Sequence, residues 1–263
     1  DSWFLAVDFR KYDKSFITVL KTSAYSHIMW FLEVTAYTVA QIFVCLNLFK
    51  MLMNTVLILH MDCFHIWDWQ HSGDPFTVEI NSLGQRILYR YWFFKCVSEG
   101  VPGDFPKWIR LWTYGDDGLA RVRKDPRLNI LSFVEAMKDW GMEATSATKG
   151  ELRAAHRHEL SFLKREIVFD EDFDGYRAPL ERESIFKMLC WFDTSSAITE
   201  GTWASAVTDN AAAEWFLHGR EVFETETQRL LQACEACGVV YSGRSWEEYM
   251  ERYRSSTFTT WTL

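Results

Sequence analysis

Two apolar runs, residues 108–113 and 119–122, flank Tyr114-Gly115-Asp116-Asp117-Gly118, and this spacing predicts a β-hairpin with paired aspartates at its tip. Two carboxylates fixed side by side repel one another, and a hard divalent cation relieves that cost. Mg²⁺ prefers carboxylate oxygens and keeps waters and substrate phosphates as its other ligands, so a further carboxylate beside the pair would complete a phosphoryl-transfer site. The opening run Trp3-Phe4-Leu5-Ala6-Val7 reads as a buried strand ending at Asp8, the candidate for that further group. The plainer alternative is a solvated Asp-Asp turn, common to any hairpin.

The 263 residues are 48% hydrophobic and 24% charged, enough for one large core or two modest ones, which excludes a disordered tail, a collagen-like repeat and a disulfide miniprotein. An aromatic share of 16% points to large buried interfaces or a face that stacks on flat ligands. With 28 basic against 36 acidic residues the formal charge is −8, so any nucleic-acid binding has to come from local basic patches. Cys45, Cys63, Cys96, Cys190, Cys234 and Cys237 lack the dense spacing of a secreted framework, which favours a reducing compartment. The chain opens on Asp1 and an apolar stretch that does not read as a signal peptide, and it is expected to be a piece of something longer. The most apolar window, residues 34–61, is interrupted by Gln41, Asn47, Lys50 and Asn54 at roughly helical spacing; a buried amphipathic helix is expected there, and no transmembrane segment.

Along the chain, a helix is predicted to start near Asp13, residues 25–50 read as helical and residues 55–69 as extended. Ser72-Gly73-Asp74-Pro75 reads as a turn, with Asp74 as N-cap and Pro75 as first helical residue. The helix it opens carries Thr77, Asn81, Gly84, Leu88 and Tyr91 on one face. Residues 129–140 form an amphipathic helix ending at Gly141, and residues 160–169 are extended. From Pro179 onward the chain reads as helical, with Ile185, Met188, Leu189 and Phe192 on one stripe and a capping box at Ser245-Trp246-Glu247-Glu248. The change of pattern at residues 176–179 sets a boundary between domains 1–177 and 178–263.

Asp13, past the end of the first strand, can point into the same cavity as Asp8 and accept a hydrogen bond from a sugar hydroxyl; its alternative is a helix N-cap. Ser72 and Asn81 can join it, Thr77 and Asn81 being one helical turn apart; the alternative for Asn81 is a buried amide satisfied by backbone. Lys149 follows a polar loop and can stabilise a departing pyrophosphate and donate a proton, unless it is simply a solvated surface lysine. Phe162-Leu163-Lys164-Arg165 joins an apolar pair to two cations, which suits a hairpin that packs inward and touches a phosphate backbone. Other groups read as structural. Cys234 and Cys237 have zinc-ligand spacing but no second pair, and a helical pair with one buried thiol is expected. His60, Cys63, His65 and His71 cannot all converge from a strand whose residues alternate faces, and His156 and His158 flank Arg157 on what is expected to be a polar or phosphate-contacting surface.

Taken in order, Asp8 and Asp13, then Ser72-Gly73 with Thr77 and Asn81, then Tyr114-Gly115-Asp116-Asp117, Lys149 and Phe162-Leu163-Lys164-Arg165, this run resembles motifs A to E in the palm of positive-strand RNA virus RNA-dependent RNA polymerases. The likeness is nearest to picorna-like viruses of the dicistrovirus, iflavirus and marnavirus kind, with residues 70–82 similar to their motif B. Residues 178–185 and His218-Gly219-Arg220-Glu221 are similar to their thumb. The resemblance implies an α+β fold: a right-hand polymerase palm, an antiparallel sheet backed by helices, followed by an α-helical thumb, with the fingers largely absent and expected before Asp1.

The implied reaction is template-directed addition of ribonucleotides to an RNA 3′ end. Asp8 and Asp116 would hold two Mg²⁺ ions, or Mn²⁺, with Asp117 a weaker ligand and Lys149 beside the leaving group. Asp13, Ser72, Gly73, Thr77 and Asn81 would recognise the nucleotide and its 2′-hydroxyl, and Phe162, Leu163, Lys164 and Arg165 would contact the primer. Implied partners are an RNA template and primer, ribonucleoside triphosphates, a protein primer and other viral replication proteins. The implied place is the host cytoplasm, in membrane-associated replication complexes. Two residues depart from the family pattern: His71 stands where proline is usual, and Gly118 where asparagine is common. A reverse transcriptase shares the aspartate pair, but Ser72, Thr77 and Asn81 with Asp13 argue against it. A non-catalytic RNA-binding or scaffold fragment is the rival of another class, since the fragment is expected to be inactive without fingers.

Overall fold

Alternation builds the first strand. In the computed structural model, which describes residues 2–60, 62–66, 75–97, 102–146, 150–156, 159–191, 199–241 and 243–255, strand β1 (Ser2–Phe9) buries Leu5, Val7 and Phe9 and leaves the residues between them half-exposed. The chain continues through α1 (Tyr12–Ser15), α2 (Thr18–Val34), α3 (Val39–Met53), a hairpin of β2 (Thr55–Leu59) and β3 (Asp62–Ile66), the long α4 (Thr77–Cys96) and short α5 (Phe105–Trp108). Next come the hairpin β4 (Ile109–Tyr114) and β5 (Asp117–Arg123), then α6 (Ile130–Lys138), β6 (Ala144–Ser146) and β7 (Ser161–Phe162). Four of these strands form an antiparallel sheet in the order β4-β5-β1-β6, with Val7 opposite Gly118, Asp8 opposite Thr145 and Tyr114 opposite Asp117.

The core of this first unit, Asp1–Leu163, lies between the sheet and its helices. Helix α4 buries Ile80, Asn81, Gly84, Gln85, Leu88, Tyr89, Trp92 and Phe93, adjacent pairs repeating every four residues, which is one continuous stripe. Trp92 and Phe133 of α6 meet edge to face with centroids 5.0 Å apart, and the Trp92 indole N–H donates to Ser132 Oγ at 3.0 Å. Each such large apolar side chain contributes roughly 1.5–3 kcal/mol by leaving water.

Several expectations are corrected. The helix read over residues 25–50 is two helices, broken where Ala36 adopts φ +65° and Thr38 starts α3 with a capping box to Gln41. The window 34–61 is not a buried helix: α3 buries only Phe49, while Val39 is 85% and Phe43 63% exposed, because its apolar residues surround more of the helix than its neighbours cover. The extended run from Thr55 reverses at His60, φ +55°, into the β2–β3 hairpin. Helix α4 is preceded by Phe76 as N-cap, so Pro75 lies before the helix; Asp74 falls outside the described residues. Asp13 sits inside the first turn of α1, whose N-cap is Lys11. The stretch 160–169 bends at Leu163 and Lys164, both at positive φ.

The second unit, Lys164–Leu263, comprises β8 (Arg165–Glu166), the paired β9 (Val168–Asp170) and β10 (Gly175–Arg177), and helices α7 (Arg182–Leu189), α8 (Glu200–Phe216), α9 (Arg220–Cys237) and α10 (Trp246–Arg254). Phe216 is its hub, in ring contact with Phe173, Trp246 and Tyr249. The compact units divide after residue 163, earlier than the change of sequence pattern at 176–179, because the β9–β10 hairpin is tied to the helices. Arg177 donates to Leu217 O at 2.6 Å, and Tyr253 Oη to Tyr176 O at 3.0 Å. Ile185 is buried as its stripe requires, Ser245 and Glu248 close their capping box, and Cys234 is buried with Cys237 exposed; Phe192 lies outside the described residues.

Candidate active site

Register brings the aspartates together. The antiparallel β1–β5 ladder ends with Val7 opposite Gly118, so the next residue of β1, Asp8, and the preceding residue of β5, Asp117, lie at the same end of the sheet, with Asp116 in the turn beside them. The turn itself is tight: Gly115 and Asp116 are its two central residues, and only Gly115 has positive φ, +61°, a conformation that glycine adopts without strain. Burial first, and then the charges of Asp116 and Asp8, push the Asp117 carboxyl above its ordinary value. The repulsion inferred from the sequence is therefore present in the fold.

Asp8, Asp13 and Asp116 line one cavity of about 950 Å³, together with Tyr12, Thr145 and Glu151. Thr145 Oγ1 donates to Asp8 O at 3.1 Å, fixing the end of β1 against β6. At the rim Arg10 pairs with Glu143 at 3.3 Å, both well exposed, so this ion pair adds little stability. Tyr12 is fully buried; burial and the nearby Asp116 charge hold its phenol protonated well above its usual range. Its hydroxyl donates to Asn81 O at 2.9 Å and so links α1 to α4.

Asn81 is buried, and its Oδ1 has no partner among the described residues. Its backbone carbonyl, not its amide, is what Tyr12 engages. Thr77 is half-buried at the start of the same helix. Ser72, Gly73, His71 and Lys149 lie outside the described residues, as do Arg157 and His158. Phe162 ends β7 half-buried, and Leu163 follows it in the turn. In the second unit Lys164 is exposed, 3.9 Å from Glu181, whereas both Arg165 terminal nitrogens are held by Glu214, at 2.6 and 2.8 Å. Lys164 is thus the cation of the pair presented to solvent. His60, Cys63 and His65 are exposed, and among the described residues no three histidine, cysteine or acidic side chains form a ready metal cage.

The donor chemistry nevertheless fits a hard cation. Mg²⁺ is commonly held by one or two carboxylates with waters and substrate phosphates completing its shell, so a closed protein cage is not required. Asp8 and Asp116 supply two such carboxylates in the lining of the cavity.

Sequence reasoning missed Ser82 and Gln85. Both stand on α4: Ser82 Oγ accepts the Gly115 N–H at 2.9 Å, and Gln85 Nε2 donates to Gly115 O at 3.1 Å. Helical spacing was the available signal, since Gln85 lies four residues beyond Asn81 and three beyond Ser82.

The family model of viral RNA-dependent RNA polymerases matches residues 1–235. The chain is similar to the genome polyprotein of human hepatitis A virus genotype IIA, isolate CF-53, at 27% identity over 217 residues, 79% of this chain and 9% of the polyprotein. The polyprotein of genotype IA, isolate HAS-15, is 27% identical over 221 residues, 81% of this chain and 10% of that polyprotein. The chain thus spans about a tenth of the length of the curated relatives it matches.

Proposed function

The chain belongs to the viral RNA-dependent RNA polymerase family, and we propose that it carries the catalytic palm and the thumb of an enzyme that adds ribonucleotides to an RNA 3′ end under the direction of an RNA template. The observation that carries this reading is the meeting of carboxylates from separate elements, Asp8 from β1, Asp116 from the β4–β5 turn and Asp117 from the start of β5, at one end of the sheet. Asp8 and Asp116 are the proposed metal ligands, with Asp117 the weaker one. Mg²⁺, or Mn²⁺ in its place, supplies activation of the 3′ hydroxyl and charge neutralisation on the triphosphate.

The protein's own groups do the rest. Asp13 and Asn81, with Ser72, Gly73 and Thr77, select the nucleotide sugar; the buried Asn81 Oδ1, without a partner among the described residues, supports an acceptor role. Lys149 is the proposed proton donor to pyrophosphate on the strength of the family resemblance. Lys164 is the proposed primer contact, with Phe162 and Leu163 preceding it, while Arg165 is engaged by Glu214. Residues 1–177 are the proposed palm and 178–263 the proposed thumb. A dicistrovirus-, iflavirus- or marnavirus-like source, a protein primer, other viral partners and a membrane-associated replication complex in the host cytoplasm complete the reading. Among the described residues no helix is long and apolar enough to cross a membrane.

The test is primer extension by the chain joined to a finger region, with a defined RNA template. The expected result is incorporation of the complementary ribonucleotide in preference to its deoxy form, dependent on Mg²⁺ or Mn²⁺. RNA binding without incorporation would favour the scaffold reading.

A further inference from the structure

The aspartate turn is held from behind by one helix. Gly115, immediately before Asp116, is buried, and both of its backbone polar groups end on α4: the N–H on Ser82 Oγ at 2.9 Å, the carbonyl on Gln85 Nε2 at 3.1 Å. Gln85 is itself fully buried, and its Oε1 has no hydrogen-bond partner among the described residues. That oxygen occupies a particular space. A Cβ added at Gly118 would stand 2.2 Å from Gln85 Oε1 and 3.3 Å from its Cδ. A buried amide with an unsatisfied oxygen is costly, so the geometry calls for a compensating role.

We propose that Gln85 is a positioning residue for Asp116: its amide fixes the Gly115 carbonyl and hence the direction of the turn, and residue 118 is glycine because the Gln85 side chain fills the place of a side chain there. Two contacts on opposite sides of the turn, Gly115 and Gly118, then follow from one side chain. Ser82 holds the preceding peptide unit, Tyr114–Gly115, through its N–H, while Gln85 holds the following one, Gly115–Asp116, through its carbonyl. The inference rests on the reading of Asp116 as a metal ligand, and it adds that the ligand's placement is set from α4 rather than from within the hairpin.

The experiment is a double-mutant cycle in the finger-bearing polymerase, with Mn²⁺ binding measured by electron paramagnetic resonance and ribonucleotide incorporation measured as separate kcat and KM. Gln85→Met keeps the buried volume and removes the donor; kcat is expected to fall about five- to tenfold, as for loss of one hydrogen bond, with weaker Mn²⁺ binding and little change in nucleotide KM. The cycle itself pairs Gly118→Ala with the truncation Gln85→Ala: Gly118→Ala is expected to lower kcat by at least as much as Gln85→Met when Gln85 is present, and to have almost no further effect in the Gln85→Ala background, where the space is vacated. A merely structural role would instead lower the folded fraction and leave kcat and Mn²⁺ affinity of the folded enzyme unchanged. Parent-like kcat and Mn²⁺ binding in Gln85→Met, or independent effects of the two sites in the cycle, overturns the proposal. Asp116→Asn run in parallel separates the two readings. If that variant binds Mn²⁺ and elongates normally, the site assignment has failed; if it is inactive while Gln85→Met is normal, only the positioning role has.

Discussion

At Asp117 burial and charge bear on stability at the proposed site. Its carboxyl is raised by burial and by Asp116 and Asp8, so the folded chain holds a proton there more tightly than the unfolded one does. Stability therefore falls as pH rises through that raised value, and at neutral pH the ionised group opposes folding. Asp117→Asn is expected to raise the thermal midpoint of the metal-free protein at neutral pH and to leave it unchanged at about pH 3, below both carboxyl values. Thermal unfolding in the presence of a chelator measures this; a lower midpoint at neutral pH would contradict the assigned repulsion. The aspartates were legible in sequence because strand alternation and a two-residue turn are local rules that fix where Asp8, Asp116 and Asp117 end. Gln85 and Ser82 were not, since their role exists only once α4 lies against the hairpin tip.

Elements show the same division. The hairpin β4–β5 and helix α6, opened by the Asn129 cap, follow from turn and capping chemistry that neighbouring residues contain; the helix ends at Lys138 with Asp139 as C-cap, before the positive-φ Gly141. The exposure of α3 does not, because apolar periodicity tells which residues are hydrophobic and not what covers them. Arg165 was read as a phosphate contact from its charge, yet its partner Glu214 lies 49 residues away on α8 and is only 1% exposed. That pair makes an asymmetric prediction. Arg165→Met leaves Glu214 buried without a counter-charge and is expected to destabilise the second unit by about 3–5 kcal/mol. Glu214→Gln is expected to cost less, because the Arg165 side chain, 22% exposed, still reaches water. Denaturant unfolding of the two variants decides it, and equal losses would show that the pair is not buried as described.

At the scale of the molecule, a four-stranded antiparallel sheet backed by α4 and α6 carries the carboxylates, and a separate helical unit follows it in sequence. Family membership and the meeting of Asp8 with Asp116 and Asp117 support the proposed nucleotidyl transfer from two sides, one from the whole sequence and one from strand register. The claim stands or falls on the Asp116 carboxylate. In the finger-bearing enzyme, single-nucleotide incorporation by Asp116→Asn on a primed RNA template is expected to drop by roughly a thousandfold or more, several kcal/mol of lost charge stabilisation, with the thermal midpoint and RNA affinity held near the parent values. Elongation by that folded variant at close to the parent rate would contradict the assignment.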